Sequence, residues 1–158
     1  MNDRPNVFAD GSWDREGEKM KIRSRFVGKA AGAKELGMSV HELLPGSTGF
    51  NLHAHYGMEE LFVVLSGTPT LRTADAEETL APGDVVSCPR GLDGLHTFTN
   101  PTDELARVLA ISTLPVPEVV LYPELGKFAV ATRDPTAPVP DEGDKGIVGL
   151  FDLPAADR

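Results

Sequence analysis

The sequence predicts an all-β protein, a sandwich or barrel of short strands with irregular arms at both ends. Two observations predict it. The 16 glycines and 13 prolines of the 158 residues are scattered along the chain, leaving runs too brief for helices of ordinary length. Those runs are rich in strand-forming residues and recur about every ten residues with turn chemistry between them.

Taken in order, the charged and irregular residues 1–36 read as an N-terminal arm. Strands are expected at 37–44, 50–55, 60–65, 68–73, 77–80, 84–88, 95–99 and 105–113, each a β-rich run bounded by turn residues. The last of these contains Leu105-Ala-Arg-Val-Leu-Ala110, which also suits a helix; strand is the reading adopted. Beyond it, Pro115, Pro117, Pro123, Pro135, Pro138 and Pro140 favour an extended arm over packed helices. The expected organisation is therefore an arm at 1–36, a barrel at 37–114 and a proline-rich extension at 115–158.

Composition narrows the function. Lys and Arg number 15 and Asp and Glu 24, a formal net charge of −9. That balance argues against nucleic acid and anionic membrane partners, which call for clustered positive charge. No apolar run approaches the ~20 residues of a membrane span, and the first residues show no basic-then-apolar leader. The one cysteine, Cys88, permits no internal disulfide and suits a reducing cytoplasm. A cytoplasmic protein without nucleic-acid or membrane partners is expected.

The chemistry concentrates in the histidines, which are His41, His53, His55 and His96. Strand alternation puts His53 and His55 on one face. After the turn Tyr56-Gly57-Met58, Glu60 opens the next strand and shares a face with Phe62 and Val64. Glu59 competes for the carboxylate role, but it turns outward if Glu60 faces in. His96 opens a later strand, where it could supply a third imidazole. Mixed nitrogen and oxygen donors of this kind suit borderline divalent metals. His41 reads as a strand residue facing pocket rim or solvent, Cys88 as a small packed hydrophobe, and Trp13 as an anchor for the N-terminal arm. Leu61, Val63 and Leu65 form an apolar face opposite Glu60 that needs cover from the chain's own arms or from a partner.

These residues fall into two segments that resemble the two motifs of the cupin superfamily. His53-Ala-His55, four residues, Glu60, six residues and Gly67 match the first, with Gly46 one residue further upstream than the pattern. Gly83, Pro89, Gly91, His96 and Asn100 match the second, except that four residues, not two, separate Gly91 from His96. The segment 117–124 followed by Gly126-Lys127 is similar to one that follows the barrel in a group of small single-domain, conserved-barrel cupins.

The resemblance implies a double-stranded β-helix (jelly-roll) barrel and a homodimer. It implies one divalent metal ion per chain, of Fe, Mn, Ni, Co or Zn, held by His53, His55, Glu60 and His96. It also implies an enzyme acting on a small oxygen-rich molecule by dioxygenase, isomerase or decarboxylase chemistry. The alternative is a cupin that binds or senses a small ligand without catalysis. No catalytic residue beyond the ligand set is identified. Metal loading is expected to weaken in acid, because ligand imidazoles with an ordinary pKa of about 6.5 must be neutral.

Overall fold

The computed structural model describes residues 4–132 and 148–154; Pro135, Pro138 and Pro140 lie outside them. Among the described residues the strands are β1 (Arg15–Gly17), β2 (Ile22–Arg25), β3 (Leu36–Leu43), β4 (Ala54–His55), β5 (Glu60–Ser66), β6 (Thr70–Thr73), β7 (Glu77–Thr79), β8 (Val85–Cys88), β9 (His96–Thr99), β10 (Ala106–Thr113), β11 (Glu118–Tyr122), β12 (Lys127–Ala131) and β13 (Val148–Asp152). A short helix, α1 (Val27–Ala30), joins β2 to β3.

One antiparallel sheet runs β1-β2-β3-β10-β5-β8. The opposing layer consists of β7-β6-β9 and β13-β12-β11-β4. Its two parts are joined where His53 and His96 exchange backbone hydrogen bonds, the His53 N–H to the His96 carbonyl at 3.1 Å and the reverse at 2.9 Å. Ile22, Leu43, Phe62, Val64 and Val108 from the first layer meet Leu71 and Phe98 from the second. Each such side chain contributes about 1.5–3 kcal/mol by leaving water. This is the jelly-roll barrel the sequence leads one to expect.

The stretch with a second, helical reading is β10. Its Ala106, Val108 and Ala110 are buried, their alternates are only half-buried, and β3 and β5 pair it on either side. The expected strand at 50–55 contracts to the two residues of β4. The Phe50 carbonyl accepts from the Thr97 hydroxyl at 2.6 Å, and the Asn51 carbonyl lies 2.8 Å from His53 Nδ1. Side chains thus take the place of a ladder there.

The flanks are less irregular than expected. β1 and β2 extend the first sheet beyond β3, with Ile22 opposite Leu43 and Ser24 opposite His41. Only Ile22 and Ser24 point inward from β2, and Arg23 and Arg25, which alternate with them, mask that pattern. After the barrel, Pro117 and Pro123 bracket β11 without interrupting it, and β12 and β13 pair on beyond.

The N-terminal residues cover one end of the first sheet's outer face. There Glu42, 1% exposed, accepts from Arg23 and Arg107, both at 2.6 Å. Arg25 donates to the carbonyls of Asn6, Val7 and Ala9, and the Trp13 ring lies 4.8 Å from the Arg23 guanidinium. At the other end of that face, Leu61 and Val85 stay exposed. No helix among the described residues is long and apolar enough to cross a membrane.

Candidate metal centre

His53 and His55 project from the β4 segment and His96 from the start of β9, all in one layer. Glu60, the first residue of β5, comes from the opposite layer. The pairings converge on one atom. Glu60 Oε2 lies 3.3 Å from His55 Nε2 and 3.4 Å from His96 Nε2. Ligand atoms of His53, Glu60 and His96 all lie within 4.8 Å of one another. His55 is outside that mutually close group but reaches the same carboxylate oxygen. With metal–ligand bonds of about 2.1 Å, neighbouring donors around an octahedral ion stand about 3 Å apart and opposite ones about 4.2 Å. The spacings here fall near that range.

Each imidazole is held from behind. His53 Nδ1 is 2.8 Å from the Asn51 carbonyl, His96 Nδ1 is 2.8 Å from the Gly94 carbonyl, and His55 Nδ1 is 3.3 Å from Glu118 Oε1. Those partners only accept, so Nδ1 carries the proton and Nε2 keeps its lone pair toward Glu60. The two extra residues before His96 belong to a 3₁₀ turn at Leu92–Gly94. That turn supplies the Gly94 carbonyl, so the departure from the motif spacing leaves His96 anchored. Asn100 holds the turn that follows β9. It is fully buried, and its amide donates to the carbonyls of Leu43 and Glu104.

The donor set fits a cation on an independent ground as well. Glu60 Oε2 is buried and has no hydrogen-bond partner. Burial raises the Glu60 carboxyl above its ordinary pKa. Burial, reinforced by the other imidazoles, lowers His53 to about 3, and burial lowers His96 to about 4. A neutral imidazole beside an unpaired carboxylate oxygen is the protonation state a metal ion requires.

The centre opens into a cavity of about 490 Å³. Leu43, Phe62, Phe98 and Val108 give it apolar walls, and Arg15, His41, Asn51, Thr97 and Tyr122 give it polar ones. His41 faces this cavity and not solvent, with Nδ1 2.8 Å from the Ser24 hydroxyl; burial lowers its pKa to about 4. Glu59 is exposed, as alternation requires, and Tyr56 is also exposed. Cys88 is buried, and burial beside Glu60 pushes its thiol up to about 12.

Sequence reasoning did not find three residues at this site. Glu118, 6% exposed, abuts His55; Tyr122 stacks on His53 with ring centroids 6.0 Å apart; and Arg15 reaches the cavity from β1. Strand alternation across 118–122 is a local signal for the first two, since Val120 pairs with His55. That register carries Tyr122 to His53 and Glu118 to Gly57. Nothing local marks Arg15.

Residues 39–112 match the family model described as Cupin domain. No curated protein sequence matches the chain. Among solved structures, a candidate sugar phosphate isomerase from Acidithiobacillus ferrooxidans is 27% identical, with a TM-score of 0.70 over 87% of this chain and 79% of that one. A cupin-superfamily sugar phosphate isomerase from Silicibacter pomeroyi is 23% identical, with a TM-score of 0.71 over 87% and 83%. The polyketide cyclase RemF from Streptomyces resistomycificus is 24% identical, with a TM-score of 0.53 over 59% and 65%. The last two likenesses bear on the fold alone.

Proposed function

The chain is a small cupin-domain protein, and on that footing we propose that it is a metal-dependent enzyme that isomerises a small oxygen-rich molecule, with His53, His55, Glu60 and His96 as ligands of one divalent ion. The observation that carries this reading is Glu60 Oε2, buried without a partner between two imidazole nitrogens. An isolated buried carboxylate is costly by several kcal/mol, and a cation at this point offsets that cost. Isomerisation is favoured by the 27% likeness to a candidate sugar phosphate isomerase.

A divalent ion bound here supplies Lewis acidity toward adjacent oxygens of a hydroxy-carbonyl compound. The chain's own residues do the remaining work. Asn51, Gly94 and Glu118 fix the imidazoles. Phe62, Phe98 and Val108 limit water. The Tyr122 hydroxyl and the His41 imidazole, neutral at physiological pH, are the cavity groups available to hold or pass a proton. The ligand-bearing unit of this reading is 37–114, flanked by 1–36 and 115–158. A cytoplasmic setting belongs to it as well, since the one thiol is a buried free cysteine.

Elemental analysis of tag-free protein beside the His53→Ala/His96→Ala variant tests the centre. NMR detection of deuterium uptake from solvent into small aldoses and ketoses, phosphorylated and not, tests the reaction. About one ion per chain, lost in the variant, together with deuterium uptake is expected. An ion without turnover would leave the binding or sensing alternative. No ion after reconstitution with Fe, Mn, Co, Ni or Zn would overturn the proposal.

One observation favours a second chemistry. His53, Glu60 and His96 form a two-histidine, one-carboxylate group, the set that suits Fe(II) and dioxygen. Substrate-dependent oxygen uptake by the iron-loaded protein would select it.

A homodimer completes the proposal. Leu61 and Val85 remain exposed on the part of the outer sheet face that the N-terminal residues leave bare, and a second copy would cover them. Sedimentation at micromolar concentration should give the dimer mass, and a monomer mass would refute it.

A further inference from the structure

We propose that Arg15, together with the Tyr122 hydroxyl, forms a subsite that takes an anionic group of the ligand, a phosphate or a carboxylate, at the open side of the cavity. The inference rests on the reading above only for what the metal centre does with the rest of the molecule.

Sheet register aims Arg15 inward. Arg15 pairs with Ser24, and Ser24 pairs with His41. Residues directly opposite one another in antiparallel strands share a face, so Arg15 lies on the face from which His41 lines the cavity. Arg15 lines that cavity itself and is exposed, whereas His96 at the metal centre is 3% exposed. This places the guanidinium at the opening. From the opposite layer, Tyr122 lines the same cavity and is held by stacking on His53. Arg15 is near enough for its charge to act on both His41 and Tyr122.

The neighbouring arginines are committed elsewhere. Arg23 and Arg107 bind Glu42, Arg25 binds backbone carbonyls, and Arg72 binds Glu124. Arg15 has no carboxylate partner among the described residues. Its guanidinium carbon lies 5.9 Å from the Phe26 ring centroid, a contact that leaves its N–H groups available. The formal charges point the same way. Glu60 and Glu118 together balance a divalent ion, so Arg15 would leave the cavity at +1 in a chain of −9. A planar fork of N–H donors is suited to phosphate and carboxylate oxygens.

Three small probes of similar skeleton separate the possibilities: glycerol phosphate, glycerate and glycerol, titrated by NMR into the zinc-loaded wild type, Arg15→Gln and Arg15→Lys. The wild type should bind at least one anionic probe about tenfold or more tightly than glycerol. Arg15→Gln should abolish that preference without changing glycerol binding, and Arg15→Lys should keep part of it. Whether glycerol phosphate or glycerate is preferred identifies the anion. Equal binding of all three probes by the wild type, or a preference that survives in Arg15→Gln, overturns the subsite. Repeating the titration with His53→Ala/His96→Ala keeps the two readings apart. An anion preference retained there upholds the subsite even where the metal reading fails.

Discussion

Glu118 offers the sharpest test of how the centre is built. It lies outside the two motif segments, yet its Oε1 accepts from His55 Nδ1 at 3.3 Å and from the Gly57 N–H at 3.4 Å. Replacing it with Gln keeps the size and one acceptor but removes the charge that strengthens His55 as a donor through Nε2. Hydrogen bonds to charged groups contribute about 1.5–3 kcal/mol, and contacts as long as these belong at the low end. A loss of about 1.5 kcal/mol corresponds to roughly tenfold weaker metal binding, within the range typical of residues that orient a ligand. Glu118→Ala, which leaves Nδ1–H unpaired, should cost up to about a hundredfold. Stability of the metal-free protein should move differently, because Glu118 buries an oxygen, Oε2, that has no partner. The neutral amide of Glu118→Gln is less costly to bury than that charged group, which offsets much of the lost contact, so the variant should unfold within a few degrees of wild type. Competition for Co(II) against a chelator, read through the ion's visible absorption, measures affinity and coordination together. Unchanged affinity in Glu118→Ala would refute the argument. So would affinity losses that merely track equal losses of metal-free stability.

Three further outcomes follow from the same structure. The metal-free protein should lose stability in acid. His41, His53 and His96 titrate near 4, 3 and 4 when folded but near 6.5 when unfolded, so falling pH protonates the unfolded chain first. Each contributes a slope on the order of 1.4 kcal/mol per pH unit between about 6.5 and 4, opposed in part by Glu60, whose raised carboxyl takes up its proton earlier in the folded state. Urea midpoints should fall from pH 7 to pH 4.5 and fall less in His41→Gln; a flat profile would contradict this. Glu42→Gln should cost about 2–3 kcal/mol, because the amide can accept from only one of Arg23 and Arg107, turns a donor toward the other and removes the charge both face; the arginines are partly solvated at 32% and 18% exposure. Thermal unfolding should register that as a drop of roughly 5–10 °C, and no drop would mean the cluster is energetically idle. Finally, Cys88 should react with a disulfide reagent only as fast as the native protein opens, since its thiol is buried and held near 12; fast labelling of native protein would place it at the surface.

The parts of the molecule that sequence reasoning reached are those whose determinants lie close together in the chain. β5 and β10 alternate within their own lengths. His53, His55 and Glu60 converge through one strand period and one turn, which is local geometry. β4 is shorter than its run because side chains of Thr97 and His53, the first from a distant segment, occupy its carbonyls. β1 and β2 were hidden because only Ile22 and Ser24 of β2 enter the interior. Glu118 meets His55 across 63 residues. Alternation within β11 puts Glu118 and Tyr122 on one face, but that this face meets His55 and His53 depends on the register of β11 against β4, which is not local. The pH at which metal loading should weaken in acid is set by the assembled cavity as well as by the residue type. An ordinary imidazole titrates near 6.5, and burial in the assembled cavity moves His53 and His96 well below that value.

The division of parts within the cavity has a physical logic. The imidazoles come from one layer and Glu60 from the other, so an ion at their meeting point would tie the two layers together. Leu43, Phe62, Phe98 and Val108 also belong to the barrel strands, and altering any of them would disturb packing as well as chemistry. Arg15 and Tyr122 lie on flanking strands instead. β1 is a three-residue edge strand without a buried residue, so replacing Arg15 should change what the cavity accepts at little cost to folding. Glu118 is the intermediate case, flanking in sequence but buried against His55, a proposed ligand. Its substitution should therefore be felt in metal affinity, whereas substitution of Arg15 should be felt only in the choice of ligand.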